Sequence, residues 1–124
     1  MSQIKATTLS NLAGSKTVPT DTVVDGSAKA WVNFNGTGTV AIRRAFNVSS
    51  ITDNGTADYT VNFTNAMVDA NYSCCCTSFS GNGRQAGKGG RAGTTTSAVR
   101  VYFADGGTGI LSADTDDFNV AIFS

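Results

Sequence analysis

Three cations in a glycine-rich run are the residues best suited to chemistry. Residues 80–97 read SGNGRQAGKGGRAGTTTS, and Arg84, Lys88 and Arg91 stand in that run with no acidic neighbour. Arginine and lysine donors on a pliable backbone suit an anionic surface, such as the phosphorylated sugars of a bacterial envelope. Pairing with carboxylates of an adjacent subunit and plain solvation are the competing uses. Two nucleotide motifs are approached and missed. Gly81-x-Gly83-x-x-Ala86 falls short of a dinucleotide fingerprint. Gly87-Lys88 falls short of a phosphate loop, because Asn82 stands five residues before Gly87 and Gly89 follows the lysine. Neither match opens a helix whose N-terminus would receive a phosphate.

The other reactive residue types argue against catalysis. The chain has no histidine, and all nine of its acidic residues are aspartates. Without histidine there is no Ser-His or Cys-His nucleophile pair. Nothing in the spacing sets two aspartates at the separation that glycoside hydrolysis requires. The expectation is a non-enzymatic protein with no catalytic residues and no cofactor. Asp114, Asp116 and Asp117 cluster near the C-terminus, and Asp105 precedes two glycines. Calcium uses such oxygens, but the spacing is not that of an EF-hand loop, so a polar turn and no metal site are expected.

Cys74, Cys75 and Cys76 are consecutive. In a strand they alternate between faces, and the reading is small apolar residues packed on both faces of a buried strand. Disulfides to neighbouring subunits are the alternative. A zinc site lacks spaced ligands. Five Asn-x-Ser/Thr sequons, at Asn35, Asn47, Asn54, Asn62 and Asn71, are close to what chance supplies in a chain this rich in Asn, Ser and Thr. Among the aromatics, Trp31 reads as a core anchor, with Tyr72 and Tyr102 as the better candidates for exposed rings.

The elements that must position these residues are strands. The polar residues are mostly Thr, Ser, Asn and Gly, which disfavour helices and suit pleated surfaces with tight turns. Residues 27–63 alternate apolar and polar side chains between Asn35-Gly36, Gly36-Thr37-Gly38 and Asn54-Gly55, which are hairpin signals. The predicted strands are Ala28–Asn35, Thr39–Phe46, Val48–Asp53, Asp58–Thr64, Asn71–Phe79, Ala98–Ala104 and Phe118–Phe123, with a short eighth at Gly109–Ser112. Seven or eight short strands imply one all-β domain, an antiparallel β-sandwich or jelly-roll-like fold over residues 27–124. Phe118–Phe123 is apolar on both faces, as for a central strand or one at a subunit interface. Residues 80–97 are too glycine-rich for packed secondary structure and read as a long loop.

Residues 1–26 read as an extended N-terminal arm. The arm contains the only proline, Pro19, and its first half offers only Ile4, Leu9 and Leu12 as larger apolar anchors. It buries too little to fold alone and is expected to become ordered against a partner, for attachment or trimerisation. Positive and negative residues number nine each, which argues against general binding to nucleic acid. No apolar run is long enough to insert into a membrane, and no export signal is visible.

AKAWVNFNGTGTVAIR, followed by FNVSSITDNGTADYTVNFTNAM, resembles a small domain recurrent in tailed-phage virion proteins, most of them tail-fibre or virion-surface components. MSQIKATTLSNLAG resembles the N-terminal arm of that group. The likeness covers the arm and residues 27–67 in detail. Beyond Cys74 it lies only in the strand pattern and the apolar last strand, and related chains commonly carry other residues in place of Val68. The shared motif is structural, so no functional residue is carried over. The resemblance implies a homotrimer assembled in the bacterial cytoplasm and located on the virion. The arm would bind other virion proteins, and outward loops would meet a host-envelope glycan. The implied role is a tail-fibre or fibre-tip subunit in host attachment, with a head fibre or capsid decoration protein as the alternative.

Overall fold

In a computed structural model, residues 2–79, 84–106, 108–109, 111 and 113–124 are described. Two four-stranded sheets, antiparallel at every pairing, face each other. The strands are β1 (Thr8–Ser10), β2 (Thr17–Pro19), β3 (Ala30–Asn35), β4 (Ala41–Phe46), β5 (Val48–Gly55), β6 (Asp58–Phe63), β7 (Ser73–Ser78), β8 (Arg84–Lys88), β9 (Ala98–Asp105) and β10 (Phe118–Phe123). One sheet has the order β4-β3-β10-β7 and the other β5-β6-β9-β8. The chain is therefore the all-β sandwich its alternation requires.

Strand parity sets the core. Ala30, Val32 and Phe34 of β3, with Phe118, Val120 and Ile122 of β10, point inward from the first sheet. Tyr59, Val61 and Phe63 of β6, with Val99, Val101 and Phe103 of β9, meet them from the second. At the centre Phe34 stacks on Phe118 with ring centroids 5.2 Å apart. Tyr59 sets its edge against both rings, at 5.2 and 5.9 Å. Such pairs add to the burial of the rings themselves.

Trp31 is not in this core. It lies one residue out of phase with Val32 and Phe34, so the pleat sends it, half-buried, to the outer face. There it heads an apolar row that crosses the whole sheet. Phe46 lies opposite Trp31, Trp31 opposite Ala121, and Ala121 opposite Cys75. Phe46 is 54% exposed. β10 is a central strand, as its two apolar faces suggest. The cysteines differ from expectation, because β7 is an edge strand rather than a buried one. Cys74 and Cys76 turn inward and half-buried against the core, their sulfurs 3.4 Å apart, while Cys75 is exposed. A thiol reagent is therefore expected to label Cys75 first in the folded single chain, and Cys75→Ser should remove that fast phase. Three equally fast thiols would contradict the placement.

The turns lie close to their signals. Asn35 Oδ1 accepts from the Thr37 backbone N–H at 3.0 Å and organises the β3–β4 connection. The β5–β6 hairpin lies two residues later than Asn54-Gly55 predicts, with Ala57 in the left-handed region at φ 59°. Asn47, read only as a sequon, is a corner staple. At φ 54° it turns the chain from one sheet to the other. Its side chain donates to the carbonyls of Lys29 (3.0 Å) and Asn65 (3.1 Å) and accepts from the Asn65 N–H (2.7 Å).

Residues 2–26 are not extended throughout. β1 and β2 form a hairpin, and α1 (Thr20–Gly26) follows it. Neither the hairpin nor the helix buries a residue, and Ile4, Leu9, Leu12 and Val24 are exposed. The short strand expected at Gly109–Ser112 does not form at Gly109 or Leu111, and Ile110 and Ser112 lie outside the described residues. No helix of the described residues is long and apolar enough to cross a membrane.

Candidate functional site

The glycine-rich run is not a free loop. Its first residues, including the near-fingerprint Gly81-x-Gly83, lie outside the described residues. From Arg84 it forms β8, paired along β9, and Arg91–Gly93 makes a single 3-10 turn. Glycine permits this packing. Gly87 lies opposite Tyr102, and a Cβ there would come within 3.0 Å of the tyrosine ring. At Gly93 a Cβ would come within 2.6 Å of the Arg100 Cβ. The glycines thus let the larger side chains of β9 lie over the neighbouring backbone. The loop expectation failed because composition shows the missing side chains and not the rings that fill their places.

This packing separates the three cations. Arg84 sits at the far end of β8, its guanidinium 5.9 Å from the Phe103 ring centroid. Lys88 and Arg91 converge on one pocket of about 260 Å3, lined by Ala70, Asn71, Tyr72, Lys88, Arg91 and Thr94. The pocket lies where β7 and β8, edge strands of different sheets, come together.

Tyr72, expected to be exposed, is instead buried and forms one wall. Its ring meets Phe63 edge-on at 5.8 Å, and its hydroxyl lies 2.9 Å from the Thr95 carbonyl and 3.0 Å from that of Ala98. Burial, then the nearby Cys74, pushes its pKa up to about 12. Tyr102 is half-buried. The far wall is held in place by main-chain bonds from Gly89 to the Arg100 carbonyl (2.7 Å) and from Thr95 to that of Ala98 (2.9 Å).

Both cations in the pocket are weakly engaged. Lys88 Nζ is 5.0 Å from the Tyr72 ring centroid and 3.5 Å from the Tyr72 carbonyl oxygen. The Arg91 guanidinium is 3.4 Å from Asn71 Oδ1. Among the described residues neither forms a salt bridge; the two that occur are Arg43–Asp117 and Arg100–Asp58. Asp69, close in sequence, spends its Oδ1 on the Asn71 N–H at 2.7 Å and lines a different cavity. Thr94 is 9% exposed, and its hydroxyl is buried without a hydrogen-bond partner among the described residues. The hydrogen bond from Cys76, and secondarily the Lys88 charge, hold the Cys74 thiol below its ordinary pKa against burial. Cys76, hydrogen-bonded to Cys74 and half-buried, is pushed up. The arrangement can hold an anion.

No family model, no curated protein and no solved structure matches this chain. The reading of its surface rests on its own geometry.

The aspartates near the C-terminus go to separate tasks. Asp114 Oδ1 accepts from the Ala57 N–H (2.7 Å) and the Tyr59 hydroxyl (2.9 Å), and with burial it raises the Tyr59 pKa. Asp117 Oδ1 accepts from Asn33 (2.6 Å) and Arg43 (3.4 Å). Asp116 is exposed. Among the described residues no three potential ligands are grouped to hold a metal ion.

A second pocket, beyond the glycine turn, contains the Asp58–Arg100 pair. Arg100 Nε donates to Asp58 Oδ1 at 2.8 Å, and its Nη2 donates to the other carboxylate oxygen. Asn54 adds a bond at 3.3 Å. The Arg100 hydrogen bond, against desolvation, holds Asp58 below its ordinary 3.8. Arg100→Gln is expected to destabilise the fold modestly near neutral pH, because half of the arginine is in water and solvent screens the pair. A depressed carboxylate stabilises the fold above its unfolded pKa, and that contribution is lost as pH falls through the folded value. The gap between wild type and variant in urea unfolding should therefore close below about pH 4. A gap that does not narrow as the pH is lowered through the acid range would contradict the pairing.

Proposed function

We propose that this chain is a non-enzymatic structural protein of a phage virion, a tail-fibre or fibre-tip subunit that contacts the host envelope. The observation that carries the reading is the open pocket where Lys88 and Arg91 meet with no carboxylate partner among the described residues. It is a place to hold a charged group presented from outside. The resemblance to tailed-phage proteins covers the arm and residues 27–67, which hold β3 to β6, the half of the sandwich that lies away from this pocket's edge.

Two further surfaces support the reading. The arm carries exposed Ile4, Leu9 and Leu12 and buries none of its own hairpin, which fits attachment to other virion proteins. The outer apolar row of Phe46, Trp31, Ala121 and Cys75 fits contact between copies, as in a homotrimer. Three copies would present three weak pockets, and avidity would supply the strength that one lacks. The same arm and row favour a second reading, a head fibre or capsid decoration protein that clasps neighbouring subunits.

Copy number in the purified particle separates the two. A few trimers per virion are expected for the fibre subunit, and a multiple of the capsid lattice for the decoration protein. A chain missing from purified particles would overturn both. For host contact, Arg91→Gln is the informative variant. Excising residues 83–93 would delete β8 and damage the sandwich. Loss of cell binding by the intact oligomer is expected, and unchanged binding would remove the pocket from the contact.

A further inference from the structure

We propose that the pocket between Asn71 and Arg91 is a binding site for a single phosphorylated sugar unit. The proposal deepens the host-contact reading and rests on it for the ligand's source, while the chemistry stands on the pocket itself. Lys88 and Arg91 bring two positive charges to one cavity. A phosphate ester carries about −1.5 to −2 at neutral pH, so it matches both, whereas a carboxylate would leave one unmatched.

The present partners of the two cations are poor enough to be exchanged. Contacts of 3.4 and 3.5 Å lie at or beyond the long end of hydrogen bonding. A phosphate oxygen would offer both cations shorter, charge-assisted bonds, and the arginine fork suits two oxygens at once. The orphaned Thr94 hydroxyl points the same way. Buried polar groups almost always have a partner, and this hydroxyl has none among the described residues. It belongs to the same pocket as the cations.

Size selects the class of ligand. A cavity of about 260 Å3 is many times what a single bare ion needs. It falls just under the roughly 300 Å3 at which sites for drug-sized ligands begin, so it seats about one sugar unit, and further units of a glycan would lie outside its open mouth. Asn71 and the Tyr72 carbonyl supply the donors and acceptor that ring hydroxyls require. The rim of Tyr72 is not available for stacking, because Lys88 covers its face.

The test is a titration of the isotope-labelled full-length chain with glucose 6-phosphate, inorganic phosphate and glucose, followed through the amide signals of Asn71, Gly89 and Thr94. Saturable shifts with glucose 6-phosphate in the millimolar range are expected, with none from glucose and weaker binding as salt is raised. The Lys88→Gln/Arg91→Gln double variant should bind about tenfold more weakly or worse. Arg43→Gln, whose arginine is already paired with Asp117, should bind like wild type. Absence of shifts, equal shifts from glucose, or wild-type affinity in the double variant would overturn the site. Inorganic phosphate binding as tightly as the sugar phosphate would overturn the sugar assignment. Binding by a chain that is missing from purified particles would discard the attachment reading and keep the site. A virion protein that ignores glucose 6-phosphate would do the reverse.

Discussion

Phe118→Ala is expected to lower the stability of the sandwich by about 3–5 kcal/mol, the range for removing a fully buried aromatic ring. Phe118 has no exposed surface and sits in the three-ring cluster that joins the two sheets. Its loss would leave a cavity between Phe34 and Tyr59, whose own rings are fixed by each other at 5.2 Å. The total stability of a domain is about 5–15 kcal/mol, so this one change removes a large share of it. For a chain of this length the thermal midpoint should fall by roughly 10–20 °C. Phe79, 75% exposed, is the matched control, and Phe79→Ala should stay within about 0.5 kcal/mol of wild type. Urea unfolding of both variants checks the contrast. A Phe118→Ala loss below about 1 kcal/mol would mean that the rings do not meet.

Gly36→Ala is the second large effect, and its cause is collision rather than cavity. A Cβ at Gly36 would stand 2.3 Å from the Tyr59 hydroxyl oxygen, 2.5 Å from the ring carbon that bears it and 3.0 Å from the Thr115 carbonyl. Tyr59 cannot swing away. Its ring is wedged against Phe34 and Phe118, and its hydroxyl is held by Asp114. Overpacking of this kind costs about 1–3 kcal/mol, and the rigid neighbours place Gly36→Ala at the top of that range. Tyr59→Phe removes the closest atom, so the double variant should lose less than the sum of the two singles. A coupling of at least about 0.5 kcal/mol is expected in the double-mutant cycle. Strict additivity would show that the two residues do not touch. Gly38 offers the instructive comparison. Nothing lies within 4 Å of a Cβ there, but its φ is +61°, so Gly38→Ala is expected to cost about 1–2 kcal/mol through backbone strain alone.

Much of this architecture is legible in residue order. The alternation through 27–63 placed β3 to β6 within a few residues, because one buried face forces apolar side chains onto every second position. The doubly apolar Phe118–Phe123 was legible as a central strand for the same reason. The candidate site was only half legible. Arg84, Lys88 and Arg91 stood out as unopposed charges, but nothing in their spacing told that the first would leave the other two. Thr94 and Asn71 carried no signal, since their roles depend on the closure of one edge strand against another.

By itself the amino-acid order determined the fold class, the inward parity of most strands and the supply of unpaired cations. These follow from local steric preference and a period of two, which act between near neighbours. Only the tertiary structure decided that Trp31 faces out, that Tyr72 is buried, that the glycine run becomes β8 and that Lys88 and Arg91 share a pocket. Those outcomes depend on which strand lies beside which, and cross-strand partners such as Gly87 and Tyr102 are fifteen residues apart in the chain. Their energies come from contacts that exist only once the two sheets have closed.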